Sequence, residues 1–338
     1  MSNRSIARPS RPRWLGGRWA VVVASAVVLS ACSGPASETP APGAVTETGT
    51  SGGEGLRVAV VTHGSAGDAF WNVVKNGATD AGKDLGVTVD YTSDGDPAGQ
   101  AKLIDNAVSQ KVSGIVVSMS NPEALKTSVE NAARAGIPVI TINSGSEQSS
   151  GFGAIGHVGQ EESIAGEQAG AKLKQAGKRK LLCVIHEAGN VGLGQRCDGA
   201  KRGFGTTENL QVDINNPTDI ESRLTGALRA DPSIDVVLTL NPQVATNAVG
   251  AVKGTGSAAQ VATFDLNPDV VTAIKAGEVQ FAVDQQQYEQ GYLPIVMIKL
   301  YRENANTVGG GSPVLTGPGF VDKSNVDKVA EYAARGTR

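Results

Sequence analysis

Seven polar residues stand just beyond runs that read as β-strands: His63, Asn121, Asn143, Asn190, Asn241, Asp265 and Gln285. Singly, each Asn or Asp is accounted for by a turn or a helix cap, positions these types favour anyway. As a set they are more informative, because they gather donors and acceptors at one end of the strands. An amide offers both roles at once, which is what a ligand built of hydroxyl groups requires.

Chemistry beyond binding finds no support. Gly192-Leu193-Gly194 runs on to Cys197 where a dinucleotide loop needs its third glycine, and neither a phosphate-binding P-loop nor a nucleophile elbow occurs. His186-Glu187-Ala188-Gly189-Asn190 lacks the second histidine of a zinc helix, and the chain has only three histidines in all. Asp94-Gly95-Asp96 begins like a calcium loop, but Ala98 occupies the place of the third ligand, so an ordinary turn is expected. No catalytic residue, metal or cofactor is therefore expected.

The elements that would position these residues alternate between short β-rich runs and longer helical stripes, the signature of βαβ units and parallel sheets. Strands are predicted at Leu56–Thr62, Val87–Tyr91, Gly114–Met119, Pro138–Ile142 and Phe152–Gly156, then at Lys180–Ile185, Leu210–Ile214, Val236–Leu240, Val261–Phe264 and Phe281–Val283. Phe70, Val73, Val74, Gly77, Ala78 and Ala81 fall on one helical stripe, as do Leu103, Ile104, Ala107 and Val108. Pro97, Pro122, Pro217 and Pro242 each open a helix, where the missing N–H costs nothing. The count gives two five-strand α/β halves, with a last helix near Tyr288–Glu303 and a tail from Val314 returning to them. Each half would present its ligand-facing loops at the carboxyl ends of its strands.

Composition sets the outer bounds. The 338 residues are 40% hydrophobic, 19% charged and 4% aromatic, enough apolar material for two ordinary domains. A net charge of −3 gives no basic footprint for nucleic acid. Residues 1–31 read as a signal peptide: Arg4, Arg8, Arg11, Arg13 and Arg18 precede an apolar run, Trp19–Ala31, of about 13 residues, too short to span ~30 Å of hydrocarbon. Removing those five arginines takes the charge to about −8. Leu29-Ser30-Ala31-Cys32 resembles the bacterial lipobox, which implies a lipid-modified Cys32 at the mature amino end. Residues 32–54 are Ser, Gly, Pro, Thr, Ala and Glu with almost no apolar anchor, a flexible leash with a root-mean-square span of roughly 25 Å. The expected location is extracytoplasmic, anchored to the cell membrane. There Cys183 and Cys197 either pair with each other or remain two buried thiols.

With these features in place the chain resembles a known family. Val60-Val61-Thr62-His63, Asp68-Ala69-Phe70-Trp71, Ala135-Gly136-Ile137-Pro138-Val139-Ile140, Gln195-Arg196-Cys197-Asp198-Gly199 and Thr263-Phe264-Asp265 succeed one another as in the ribose/galactose-type periplasmic binding proteins, the receptors of sugar ABC importers. The resemblance covers about residues 55–335. It implies the type I fold, two Rossmann-like lobes with parallel sheets joined by a three-crossover hinge: 55–158 plus 286–315, and 159–285 plus 316–338. It implies that Phe70 and Trp71 lie against the CH face of a sugar, and that Arg196, three residues before a glycine, forks onto ligand oxygens. Asn143 stands where many members carry an aspartate that grips vicinal hydroxyls, a departure that points away from ribose itself. Asn190 occupies the loop where galactose-type members use a histidine. Asn241, Asp265 and Gln285 match polar residues of the second lobe and hinge, and His63 and Gln160 complete the expected set.

The function implied is capture of a neutral sugar or sugar alcohol by closing lobes and delivery to a membrane permease, by a monomer that performs no reaction. A receptor of the same fold for a furanosyl signal molecule or a nucleoside is the alternative. A lipid-anchored α/β enzyme is a more distant one, and a transcription regulator would need a helix-turn-helix where the leader stands.

Overall fold

The computed structural model describes residues 55–65 and 67–338. The leader expected over 1–31, the lipidated Cys32 and the leash over 32–54 lie outside the described residues. The elements run β1 (Arg57–Thr62), α1 (Ala69–Leu85), β2 (Thr88–Ser93), α2 (Pro97–Ser109), β3 (Gly114–Ser118), α3 (Pro122–Arg134), β4 (Val139–Ile142), α4 (Ser146–Ser149) and β5 (Gly156–Gly159). Next come α5 (Glu162–Gln175), β6 (Leu181–Ile185), α6 (Val191–Phe204), β7 (Thr207–Gln211), α7 (Pro217–Ala230), β8 (Val236–Thr239), α8 (Pro242–Thr255), β9 (Gln260–Phe264), α9 (Pro268–Ala276) and β10 (Val279–Asp284). The chain ends with α10 (Gln287–Asn304), β11 (Val314–Leu315), β12 (Gly319–Asp322) and α11 (Ala330–Arg335).

Two six-stranded sheets result, ordered β11-β5-β4-β3-β1-β2 and β12-β10-β9-β8-β6-β7. All pairings are parallel except that of β12, which runs antiparallel to β10. The chain passes between the sheets three times: after β5, after β10, and between β11 and β12. Strands β3, β4 and β8 are buried along their whole length, so they read as continuous β-branched apolar runs with helices on both faces.

Helix starts follow local chemistry. Asp96, Asn121, Asn216, Asn241 and Asn267 each cap a helix through the side chain, and each is followed by proline at the first position. Two strand predictions are corrected. Phe152 belongs to a 3-10 turn, Ser150–Phe152, ended by Gly153 at a positive φ of 86°, and the strand begins only at Gly156. The strand placed at Leu210–Ile214 lies at Thr207–Gln211. It is an edge strand paired only with β6, so its polar sequence carries no apolar signal.

Helices α5 and α6 approach almost backbone to backbone. A Cβ at Gly166 would come to 2.0 Å from the Arg196 carbonyl oxygen, and one at Gly199 to 2.2 Å from that of Ser163. Only glycine permits this approach. It lays the Arg196 side chain of α6 beside the amino end of α5, where Glu162 stands.

Candidate ligand-binding site

The carboxyl ends of the two sheets meet over a small cavity, with about 30 Å³ of room for a water-sized sphere. One sheet contributes His63 beyond β1, Asp68, Phe70 and Trp71 at the start of α1, and Asn143 beyond β4. The other contributes His186 and Glu187 beyond β6, Asn190, Leu193 and Arg196 of α6 and its cap, Leu240 and Asn241 beyond β8, Asp265 beyond β9 and Gln285 beyond β10.

Local backbone choices aim these side chains. Asn143 and Asp265 occupy equivalent places after the fourth strand of each sheet, both in the left-handed region with φ of 59° and 69°. Asn and Asp tolerate that region better than other residues with side chains. Asn190 and Asn241 cap α6 and α8 through Oδ1, accepting from Gly192 N at 3.0 Å and Gln243 N at 2.8 Å. Capping spends the oxygen and leaves each amide nitrogen to donate elsewhere. Trp71 makes edge-to-face contacts with Phe70 (centroids 4.9 Å apart) and His63 (4.7 Å), so the aromatic wall is held from two sides.

Polar contacts cross between the two halves. Asn143 Nδ2 donates to Gln285 Oε1 (3.1 Å), and Gln285 Nε2 donates to Asp265 Oδ1 (2.7 Å). The amide of Gln285 is oriented by Gln290, whose Nε2 donates to Gln285 Oε1 (2.9 Å) and to its carbonyl oxygen (3.2 Å). Val191 N donates to Ser120 O (3.0 Å), and Gln195 Nε2 to Glu147 Oε1 (3.0 Å). The two halves are therefore in contact around the cavity.

Arg196 is 3% exposed and lies over the ring of Phe264, 4.7 Å from its centroid. Its Nε and Nη2 bind Glu162 at 2.5 and 2.8 Å. The side edge of the guanidinium is thus already occupied and Nη1 also reaches the Leu240 carbonyl oxygen at 3.5 Å, so one hydrogen of Nη1 and the outer hydrogen of Nη2 are what remain for a ligand. The expectation for Gln160 is corrected. It does not line the cavity, and its Nε2 donates to Glu162 (2.9 Å), so it holds the carboxylate that holds Arg196.

Burial sets the charge states. It pushes the Asp265 carboxyl up to about 7 against the pull of Arg196, and Asp68 up to about 6 against hydrogen bonds from the Phe70 and Trp71 amides. It pushes His186 down to about 4 and lowers His63 in spite of the nearby Glu187, so both imidazoles are neutral at pH 7. The Nδ1 of His186 has no hydrogen-bond partner among the described residues.

Of the eleven residues singled out in the sequence, nine line this one cavity: His63, Phe70, Trp71, Asn143, Asn190, Arg196, Asn241, Asp265 and Gln285; Gln160 does not, and Asn121 lines the neighbouring space. Sequence reasoning missed Asp68, His186, Glu187, Leu193 and Leu240. Asp68 carried a signal, since it is the helix cap directly before the aromatic pair. His186 and Glu187 were weighed only as metal ligands, although they directly follow a strand. Cys183 and Cys197 are joined in a disulfide with Cα atoms 5.8 Å apart, tying α6 to β6 beside Arg196.

Paired sheets of this order, meeting at their carboxyl ends over a polar cavity with an aromatic wall, define a two-lobed solute-binding protein of the type I class. The chain belongs to the periplasmic binding protein domain family, which it matches over residues 58–305. A carbohydrate transporter structure from Acidothermus cellulolyticus 11B, in complex with myo-inositol, is 42% identical with a TM-score of 0.83, covering 84% of this chain and 100% of that one. The xylose/arabinose-binding protein of Sulfolobus acidocaldarius is 28% identical over 252 residues, 66% of this chain and 60% of the relative's own length. The ribose import binding protein of Haemophilus influenzae is 25% identical over 236 residues, 67% of this chain and 79% of the relative. The chain is thus a member of the periplasmic binding protein family, and these relatives are named as sugar-binding proteins.

Proposed function

We propose that this protein captures one neutral sugar or sugar alcohol between its two lobes and hands it to the permease of an ABC importer, while lipidated Cys32 and the leash keep it at the outer face of the cell membrane. The observation that carries the reading is the cavity itself. Amides, carboxylates and one arginine surround it on one side and an aromatic pair on the other, which suits a ring with hydroxyl edges and an apolar face. The lobes are taken as 55–158 with 286–315 and 159–285 with 316–338, in support of which the strands change sheet close to those positions. The myo-inositol bound by the similar Acidothermus protein makes cyclic polyols the first probes to try.

Because a neutral polyol has no charge to grip, its affinity depends on both lobes contributing at once with water excluded. Ligand then shifts an open–closed equilibrium by its differential affinity for the closed form. A thermal-shift screen of the soluble domain against myo-inositol, ribose, xylose, arabinose and allose tests the reading. Ligand at ~100 times its Kd adds ~2.7 kcal/mol, which raises Tm by roughly 5 to 10 °C for a protein of this size. No shift with any carbohydrate, or recovery of an altered ligand, would refute it.

A further inference from the structure

The cavity does not end at its polar rim. A second space, about 1080 Å³ including its open mouth, lies against it and shares four lining residues with it: His63, His186, Glu187 and Asn190. Counted as room for a water-sized sphere, the vestibule offers about 470 Å³, within the ~300–1,000 Å³ typical of small-molecule sites, and the cavity behind it only about 30 Å³. The partition between them is made by side chains of both lobes. Its bond within one lobe is short, with Asn190 Nδ2 donating to Glu187 Oε2 at 2.7 Å. Its contacts across the cleft are long: Asn190 Nδ2 to His63 Nε2 at 3.4 Å, and His63 Nε2 to Glu187 Oε2 at 3.7 Å. Contacts of that length are weak as hydrogen bonds, so a single linking atom of a ligand replaces them at little cost.

The chemistry of the vestibule says what would follow that atom. Ser120 and Asn121 come from one lobe and Gln211, Asp213 and Asn215 from the other, so an occupant touches both. Its charged groups are Glu187, Asp213, Asp219 and Arg223, and Arg223 is engaged by Asp219 at 2.7 Å. Two carboxylates remain in surplus. They accept hydrogen bonds from hydroxyl groups and repel a phosphate. His186, buried at 6% exposure with an unpartnered Nδ1, adds one more polar atom at the junction.

We propose that the natural ligand is a glycosylated cyclic polyol, its polyol ring in the cavity and a neutral glycosyl substituent passing between His63 and Asn190 into the vestibule. The inference rests on the polyol-binding reading above and deepens it. Because the substituent bridges the lobes, it favours closure as the ring does.

Titration calorimetry on the mature domain with myo-inositol, 1-O-α-D-galactosyl-myo-inositol and myo-inositol 1-phosphate tests it, in the wild type and in Asp213→Ala and Asn215→Trp. Both positions are exposed and lie outside the cavity, so neither substitution threatens the fold. The galactoside is expected to bind at least as tightly as myo-inositol and to lose tenfold or more in either variant, while myo-inositol stays within twofold and the phosphate binds at least tenfold more weakly. If myo-inositol binds but the galactoside does not, or if the galactoside ignores both substitutions, the inference is overturned and the polyol reading stands. If the phosphate binds as tightly as the galactoside, the charge argument fails and the inference with it. If neither neutral probe binds, the cyclic-polyol reading falls and takes this inference with it.

Discussion

Glu162 tests how the site is built, because it never meets the cavity. It and Arg196 are 5% and 3% exposed, joined by two contacts of 2.5 and 2.8 Å, so neither charge has water to turn to. The substitution Glu162→Gln keeps the shape, removes the charge and sets an amide NH₂ where an acceptor is needed. Breaking a buried pair from one side costs ~3–5 kcal/mol, since the remaining charge is left uncompensated. Asp265 offsets part of this. The field of Glu162 helps hold the Asp265 carboxyl high, and without it Arg196 draws Asp265 toward its ionised form. The expected loss is therefore near the low end, about 3 kcal/mol. Urea unfolding of the ligand-free domain, followed by far-UV circular dichroism, measures it, with an unchanged m-value expected. The double variant Glu162→Leu with Arg196→Met carries no buried charge and should recover most of the loss, while ligand affinity does not return. A single variant within ~1 kcal/mol of wild type, or a double variant no more stable than the single, would refute the reasoning.

Three further outcomes follow from the same geometry. Burial raises Asp265 to about 7 in the folded protein, so the native state binds a proton that the unfolded state has lost, and stability falls as pH rises from about 4 through about 7; Asp265→Asn should therefore gain about 2 to 3 kcal/mol on wild type between pH 5 and 8, and a flat difference would contradict it. Using the difference is essential, because His63 and His186 shift in the opposite sense. Trp71 is the one tryptophan beyond residue 31 and lines the cavity, so its fluorescence should change on ligand addition and saturate with the calorimetric affinity; a silent Trp71 would remove it from the site. Reduction of Cys183–Cys197, or Cys197→Ser, opens a loop of 14 residues' separation and should cost ~3 kcal/mol, and two free thiols in the denatured, unreduced domain would argue against the bridge.

What the sequence made legible is what local rules control. Proline after an Asx cap marked four helix starts, and the same pattern at Asn267-Pro268 marks a fifth that was passed over. Strand-end polar residues located most of the cavity because a parallel strand buried on both faces is conspicuous and its end is sharp. The edge strand β7 was displaced by its polar sequence, and β11, with two paired residues, and β12, with four, leave too short a trace to read as strands. The role of Glu162 was hidden for another reason: 34 residues separate it from Arg196, and only the glycine-lined approach of α5 to α6 brings them together. Gln160 entered the expected set through the family resemblance, but its amide turns toward that same carboxylate.

The two lobes repeat one plan, and the cavity departs from it in an informative way. His63 corresponds to His186, Asp68 to Asn190, Asn121 to Asn241, Asn143 to Asp265 and Gln160 to Gln285, each at the same strand end or helix cap of its sheet. Both members of the first two pairs and of the fourth line the cavity. Of the other two pairs only Asn241 and Gln285 do, while Asn121 faces the vestibule and Gln160 supports Glu162. The cavity is thus displaced toward the second lobe, which supplies Arg196 and Asp265, whereas the first supplies Phe70 and Trp71. The aromatic pair and the arginine thus face each other across the cleft, while hydrogen-bonding groups come from both sides, His63, Asp68 and Asn143 among them from the first lobe. A ligand with only hydroxyl edges or only an apolar face gains less when the lobes meet, because part of the lining then closes on nothing it can hold. Under the proposed function, a ring that carries both would gain from each wall at once, and that coupling would let a neutral cyclic molecule drive closure without any charge on the ligand.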